Sequence, residues 1–166
     1  RQIRELQLYN PKIFNGMIRE VFLMGTPLAW IGDMNYKTSL TGGGSGELSV
    51  HIDIASGDLS AAAGREAFRD SVQHDFLKKL SAILRVEVID PRTGTSIAQS
   101  GDINFDIESE RTVSRDVRIN IPSVKLWSPD SPNLYKIVAK VIKNGTTIDD
   151  YHSNIGFRQV EVVKSE

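Results

Sequence analysis

The 166-residue chain has no cysteine. That excludes a disulfide framework and thiolate chemistry, but it chooses no compartment. Neither sign of charge dominates. The formal net charge is −1, so nothing draws the chain generally to nucleic acid or an anionic membrane, and neither is expected as a partner. No apolar run approaches the ~18 residues of a membrane span, and no secretory signal pattern is visible. Histidine is scarce: His51, His74 and His152 fall in three separate stretches. Metal sites want ligands at short spacings such as i, i+4, so these read as surface or hydrogen-bonded histidines. His51 and His152 stand among polar neighbours and are expected to face solvent. No G-x-S-x-G elbow supports a serine nucleophile. "GGGSG" lacks the lysine and Ser/Thr of a phosphate loop; Glu47 follows it, and a strand pattern begins. No metal or cofactor is expected. The chain opens on Arg1 rather than Met, which suggests a processed protein or a piece of a longer one.

What is present is alternation. Hydrophobic residues make up 40% and charged residues 25%, ordinary proportions for a globular chain. Apolar and polar residues alternate through Met17–Met24, Trp30–Leu40 and Glu47–Ile54, the signature of strands with one buried face. The pattern resumes at Ile83–Asp90, Ser96–Ser100, Ile103–Ser109, Thr112–Ile121, Tyr135–Lys143, Thr146–Asn154 and Phe157–Val163. Thr41–Gly46 (TGGGSG) reads as a flexible hairpin loop, Asp90–Thr95 as a turn, and Asn144-Gly145 as a tight hairpin. One stretch differs. In Ser60–Leu80, Phe68, Val72, Phe76 and Leu80 recur every four residues beside Leu77, predicting a helix at about 60–80. Ser60 or Asp58 would be its N-cap, and Lys78 and Lys79 would lie in its last turn.

About nine short strands and one helix favour an all-β class, an antiparallel sandwich with the helix inserted between two strands. Without Gly57–Ser81, the span from Trp30 to Val163 has roughly the ~100 residues of an immunoglobulin-like sandwich. Carboxylates number 21, all in turns or on polar strand faces, and they read as solvated surface. Glycoside hydrolysis would need two of them opposed across a cleft.

Leu126–Ile137 (LWSPDSPNLYKI) is the least ordinary stretch. Trp127 could stack on a sugar ring or serve as a large structural side chain. Pro129 and Pro132 fix φ and withhold ladder hydrogen bonds, so the segment crosses between strands in one shape. A rigid crossover with a tryptophan wedge reads as architecture.

These residues carry a family resemblance. Leu126, Trp127, Ser128, Pro129, Pro132, Leu134 and Tyr135 match an L-W-S-P-x-x-P-x-L-Y segment. A strand hairpin follows, and then Gly156, Phe157 and Arg158 supply a G-F-R ending. Together they resemble the end of the immunoglobulin-like domain of glycoside hydrolase family 2, which includes β-galactosidases, β-glucuronidases and β-mannosidases. Asn15–Pro27 looks like the last strand of that family's N-terminal sugar-binding jelly roll, with departures at Asn15, Met17 and Ile18. Trp30–Leu40 and Glu47–Ile54 resemble the first two strands of the immunoglobulin-like domain, whereas Gly57–Ser81 has no counterpart in the usual pattern.

The resemblance implies a domain plan. Residues 1–27 would end a jelly roll, 28–163 would form the sandwich with an insertion at about 57–81, and 164–166 would begin a linker. In the family a (β/α)8 barrel carries both catalytic glutamates, the acid/base one usually in an Asn-Glu pair, and this chain has no Asn-Glu dipeptide. The expectation is a middle segment of a retaining β-glycosidase with no catalytic residue of its own. Its partners would be the sugar-binding and barrel domains of the same polypeptide, and carbohydrate would be a substrate of the parent alone. Trp127, Pro129, Pro132, Tyr135, Phe157 and Arg158 are the expected structural or interdomain residues, with Phe157 and Arg158 contacting neighbouring domains. The alternative is a stand-alone adhesion or sugar-binding module displaying Trp127 and Tyr135 as a platform.

Overall fold

The computed structural model describes residues 25–59 and 79–159. They form β1 (Ala29–Gly42), β2 (Ser45–Ser56), β3 (Lys79–Asp90), β4 (Thr95–Gln99), β5 (Ile103–Glu108), β6 (Thr112–Ile121), β7 (Tyr135–Lys143) and β8 (Thr146–Ile155). One sheet has the order β1-β2-β6. The other runs β4-β3-β7-β8, with β5 also paired to β3. All pairings are antiparallel. This is an immunoglobulin-like β-sandwich.

Alternation explains why these strands form. Leu48, Val50, Ile52 and Ile54 of β2 are all buried, as are Leu84, Val86 and Val88 of β3. Val117, Ile119 and Ile121 of β6 and Ile137, Ala139 and Val141 of β7 complete the facing layers of one core. Fully burying one such aliphatic side chain is worth about 1.5–3 kcal/mol, so a one-residue register slip would expose a whole row. β4 and β5 lie end to end along one edge of β3. Ser100 holds the break between them: its N–H donates to the Val86 carbonyl at 2.8 Å, and its Oγ accepts from the Val86 N–H at 3.0 Å.

The hairpins sharpen the sequence reading. At Asn144-Gly145 both residues have positive φ, 51° and 78°, as a two-residue type I′ turn requires. The glycine-rich loop is tighter than expected. β1 and β2 stay paired as far as Gly42 and Ser45, and only Gly43 and Gly44 turn, at φ 60° and 83°.

Several expectations change. Lys79 and Leu80 belong to β3, not to a helix's last turn. Leu80 faces the core opposite Ile107 of β5, which a helix ending there would not allow. The remainder of the helix reading, Met17–Met24 and residues 160–163 lie outside the described residues. Within the described residues Phe157 makes a single parallel bridge to Leu126 rather than opening a strand, and eight strands are described.

The two sheets are also joined along one side, where β1 runs beside β8. A bulge between Ile31 and Asp33 frees the Ile31 N–H from the ladder, and it donates to Asp149 Oδ2 at 2.7 Å. Tyr36 donates to the Asn154 carbonyl at 3.2 Å, and Thr38 Oγ1 to that of Gly156 at 3.1 Å. Replacing Asp149 by alanine orphans a buried N–H and should cost about 1–3 kcal/mol. Asp149→Asn keeps an acceptor and should recover most of it. Urea unfolding of the two variants decides; equal losses would contradict the role of the bond.

Candidate functional site

The candidate site is the crossover from β6 to β7 and the chain segment that passes it after β8. Prolines 129 and 132 stop this stretch from pairing as a strand, so its polar groups bond to one another. Ser128 and Ser131 exchange backbone hydrogen bonds at 3.0 and 3.1 Å, and Ser128 Oγ also accepts the Ser131 N–H at 3.0 Å. Trp127 forms a bridge with Pro132. Asn133 Nδ2 donates to the Leu126 carbonyl at 2.9 Å, closing the loop across its base.

The crossover grips the departing chain. Trp127 N–H donates to the Phe157 carbonyl at 2.7 Å, and Leu126 pairs with Phe157 in parallel. The Phe157 ring enters the core and is 0% exposed. It meets Tyr135 edge to face, with centroids 5.9 Å apart at 76°, a favourable aromatic geometry. Tyr135 is buried, and its hydroxyl accepts the Lys125 N–H at 2.8 Å.

Two glycines make room. A Cβ on Gly46 would lie 2.6 Å from Phe157 Cε1 and 2.9 Å from Cδ1. A Cβ on Gly156 would lie 3.1 Å from Trp127 Cβ and 3.5 Å from Leu134 Cδ2. So the last glycine of the glycine-rich stretch serves packing rather than turning, and Gly156 lets Trp127 and Leu134 close over the backbone.

Of the six expected residues, Trp127 is partly exposed, Pro129, Pro132 and Arg158 are exposed, and Tyr135 and Phe157 are buried. Phe157, expected at a contact with a neighbouring domain, has its ring packed inside this sandwich. Tyr135, buried through its ring, is no exposed platform. Gly46 and Asn133 were missed. Asn133 had a signal, since an amide after Ser-Pro commonly closes a turn; Gly46 had none beyond its glycine neighbours.

A polar cluster lies on the outer face of the β1-β2-β6 sheet. His51 is exposed, as its setting suggested, and pairs through Nδ1 with Asp116 Oδ1 at 2.7 Å and through Nε2 with Asp53 Oδ1 at 3.5 Å. The Asp116 hydrogen bond raises the His51 pKa above its ordinary 6.5; the charges of Asp116, Asp53 and Asp33 add to this, against some desolvation. His152 lies in β8, on the other sheet.

Comparison with known proteins places the chain. The family model for glycosyl hydrolases family 2 matches residues 31–158. The chain belongs to that family. It is 30% identical over 151 residues to a beta-galactosidase of Priestia megaterium, covering 89% of this chain and 13% of that one. A beta-galactosidase of Psychromonas ingrahamii is 25% identical over 150 residues, again 89% of this chain and 13% of the relative. Among solved structures, a family 2 member from Bacteroides cellulosilyticus superposes with a TM-score of 0.60 at 16% identity, covering 79% of this chain and 16% of that one. A beta-glucuronidase of the family gives 0.63 at 18% identity, covering 79% and 13%. The chain thus spans a small fraction of the curated relatives it matches.

Two outcomes follow from the site. Gly46→Ala forces a methyl into the Phe157 ring and should destabilise by about 1–3 kcal/mol. Gly101→Ala, where nothing lies within 4 Å of the added Cβ, should stay within about 0.5 kcal/mol. Matched urea curves test the pair; equal midpoints would refute the close approach. For His51, the folded pKa lies above the unfolded value. Its stabilisation is therefore fully present below that unfolded value and lost as pH rises through the folded one. The urea midpoint of the wild type should exceed that of His51→Gln at about pH 5, and the gap should close by about pH 9. A gap that widens with pH would contradict the cluster's polarity.

Proposed function

We propose that this chain is a non-catalytic orienting domain of a retaining β-glycosidase, joining a sugar-binding domain to a catalytic barrel within one polypeptide. The observation that carries the reading is the grip on the chain as it leaves β8. Phe157 is anchored by its ring in the core and by its carbonyl on Trp127. A spacer must fix the direction in which its polypeptide departs, and a backbone pinned to both sheets' core does so without a flexible hinge. Two further facts support it: the match to family 2 glycosyl hydrolases, and the 13% of the Priestia megaterium beta-galactosidase that the chain covers.

The competing module reading needs an exposed aromatic pair. Tyr135 is 4% exposed and its hydroxyl is engaged, so Trp127 alone would have to serve, and its ring carbon already packs over Gly156. With Trp30 replaced by phenylalanine, Trp127 emission should not move on adding galactose, glucuronate or mannose. The chain should also release no nitrophenol from nitrophenyl glycosides. A saturable, sugar-specific emission change favours the binding module, and turnover that survives repurification makes the chain an enzyme; either result overturns the proposal.

A further inference from the structure

We infer that Lys37, Ser49 and Arg118, side by side on the outer face of the β1-β2-β6 sheet, form a binding site for a small oxyanion: a sulfate, phosphate or carboxylate group. The inference goes beyond the orienting role and does not depend on it. Strand register makes the row. Lys37 of β1 and Arg118 of β6 both pair with Ser49 of β2. Residues directly opposite in antiparallel strands point to the same face, and neighbouring strands lie about 4.8 Å apart. The two cations therefore flank the Ser49 hydroxyl from either side. Lys37 and Arg118 are exposed, and Ser49 is partly exposed.

This row holds donors and no carboxylate. The adjoining rows of the same face satisfy themselves. Asn35 Nδ2 donates to Asp33 Oδ2 at 2.7 Å, Ser114 Oγ donates to Asp53 Oδ1 at 2.6 Å, and His51 pairs with Asp116 at 2.7 Å. Among the described residues, the side chains of Lys37, Ser49 and Arg118 make no hydrogen bond or ion pair. Two carboxylates border the row along the strands. Asp116, two residues from Arg118, is engaged by His51. Glu47, two residues from Ser49, forms an ion pair with neither cation.

The chemistry of the row selects the ligand. Two like charges astride a hydroxyl repel each other, and an oxyanion seated over Ser49 replaces that repulsion with two attractions. Arginine offers a planar fork that matches two oxygens, lysine a point charge, and the serine hydroxyl a further donor. Bonds of this kind, with both partners charged, are the stronger ones. There is also room. A groove of about 410 Å³ opens over the row, lined in addition by Asn35, His51 and Asp116. That volume accepts a sulfate or phosphate ion, or one charged sugar ring. The groove is open to water, so binding is weak and falls as salt rises.

The test is an amide NMR titration of the isotopically labelled chain at low ionic strength, with sodium sulfate, sodium glucuronate and, as the uncharged control, galactose. Sulfate or glucuronate should give saturable shifts at the amides of Lys37, Ser49 and Arg118, with a dissociation constant of about 1–10 mM. Galactose should give none. Replacing both cations, Lys37→Gln with Arg118→Gln, should weaken binding about tenfold or more, since both charge-assisted contacts go. Lys136→Gln with Lys143→Gln removes the same charge from β7, on the other sheet. That variant should bind within about twofold of the wild type, which separates the site from the effect of net charge. The spectra of the variants also report whether they fold. Glucuronate binding tighter than sulfate assigns the oxyanion to a saccharide, and sulfate binding as tightly or more tightly assigns it to a free ion; both uphold the site. Absence of saturable shifts up to about 50 mM, an equal response to galactose, or equal weakening in the two double variants overturns it. A glucuronate shift at the Trp127 indole with none at Ser49 belongs to the binding-module reading and overturns it too.

Discussion

The buried Phe157 ring links the two sheets to the last described residues. It occupies space that Gly46 leaves open at the start of β2, and it meets Tyr135 at the start of β7. Those two contacts tie together both sheets and the final segment of described chain. Trp127 closes on the Phe157 backbone by donating its N–H to the Phe157 carbonyl. A side chain that fills a core usually reports only on stability. Here the same burial also fixes the backbone of the last described residues.

The sandwich supplies the stiffness behind that anchor. Its facing layers are rows of Val, Ile and Leu from β2, β3, β6 and β7. Along one side, the sheets are further tied by side chains reaching from β1 to β8. Asp149 takes an N–H released by a bulge, and Tyr36 and Thr38 donate to carbonyls at the end of β8. The Thr38 bond ends on Gly156, the residue before the anchor, so the seam and the anchor act on adjacent residues of the same segment.

Much of this was legible in the sequence, for identifiable reasons. Period-two alternation marks strands because one face is buried, and in β2 and β3 every apolar member of the row is indeed inside. Asn144-Gly145 was readable because few residues tolerate positive φ. The crossover was readable from its prolines. What was hidden depends on contacts distant in sequence. Nothing near Gly46 announces a ring contributed by residue 157. The resemblance alone carried Phe157 as an interdomain residue, and only the fold shows its ring turned inward. Leu80 fits a four-residue spacing with Phe76 and also fits the alternation that continues through β3; pairing with β5 decided between them.

In this member of the family 2 glycosyl hydrolases the segment around Phe157 is tied to the sandwich core. Native-state hydrogen exchange at the Trp127 amide reads that tie, since its N–H bonds to the Phe157 carbonyl. The amide should exchange only through global unfolding, with the same free energy and denaturant dependence as Val86 in the central strand β3. Exchange through a low-energy local opening, insensitive to denaturant while Val86 stays protected, would show that the segment is hinged and not tied.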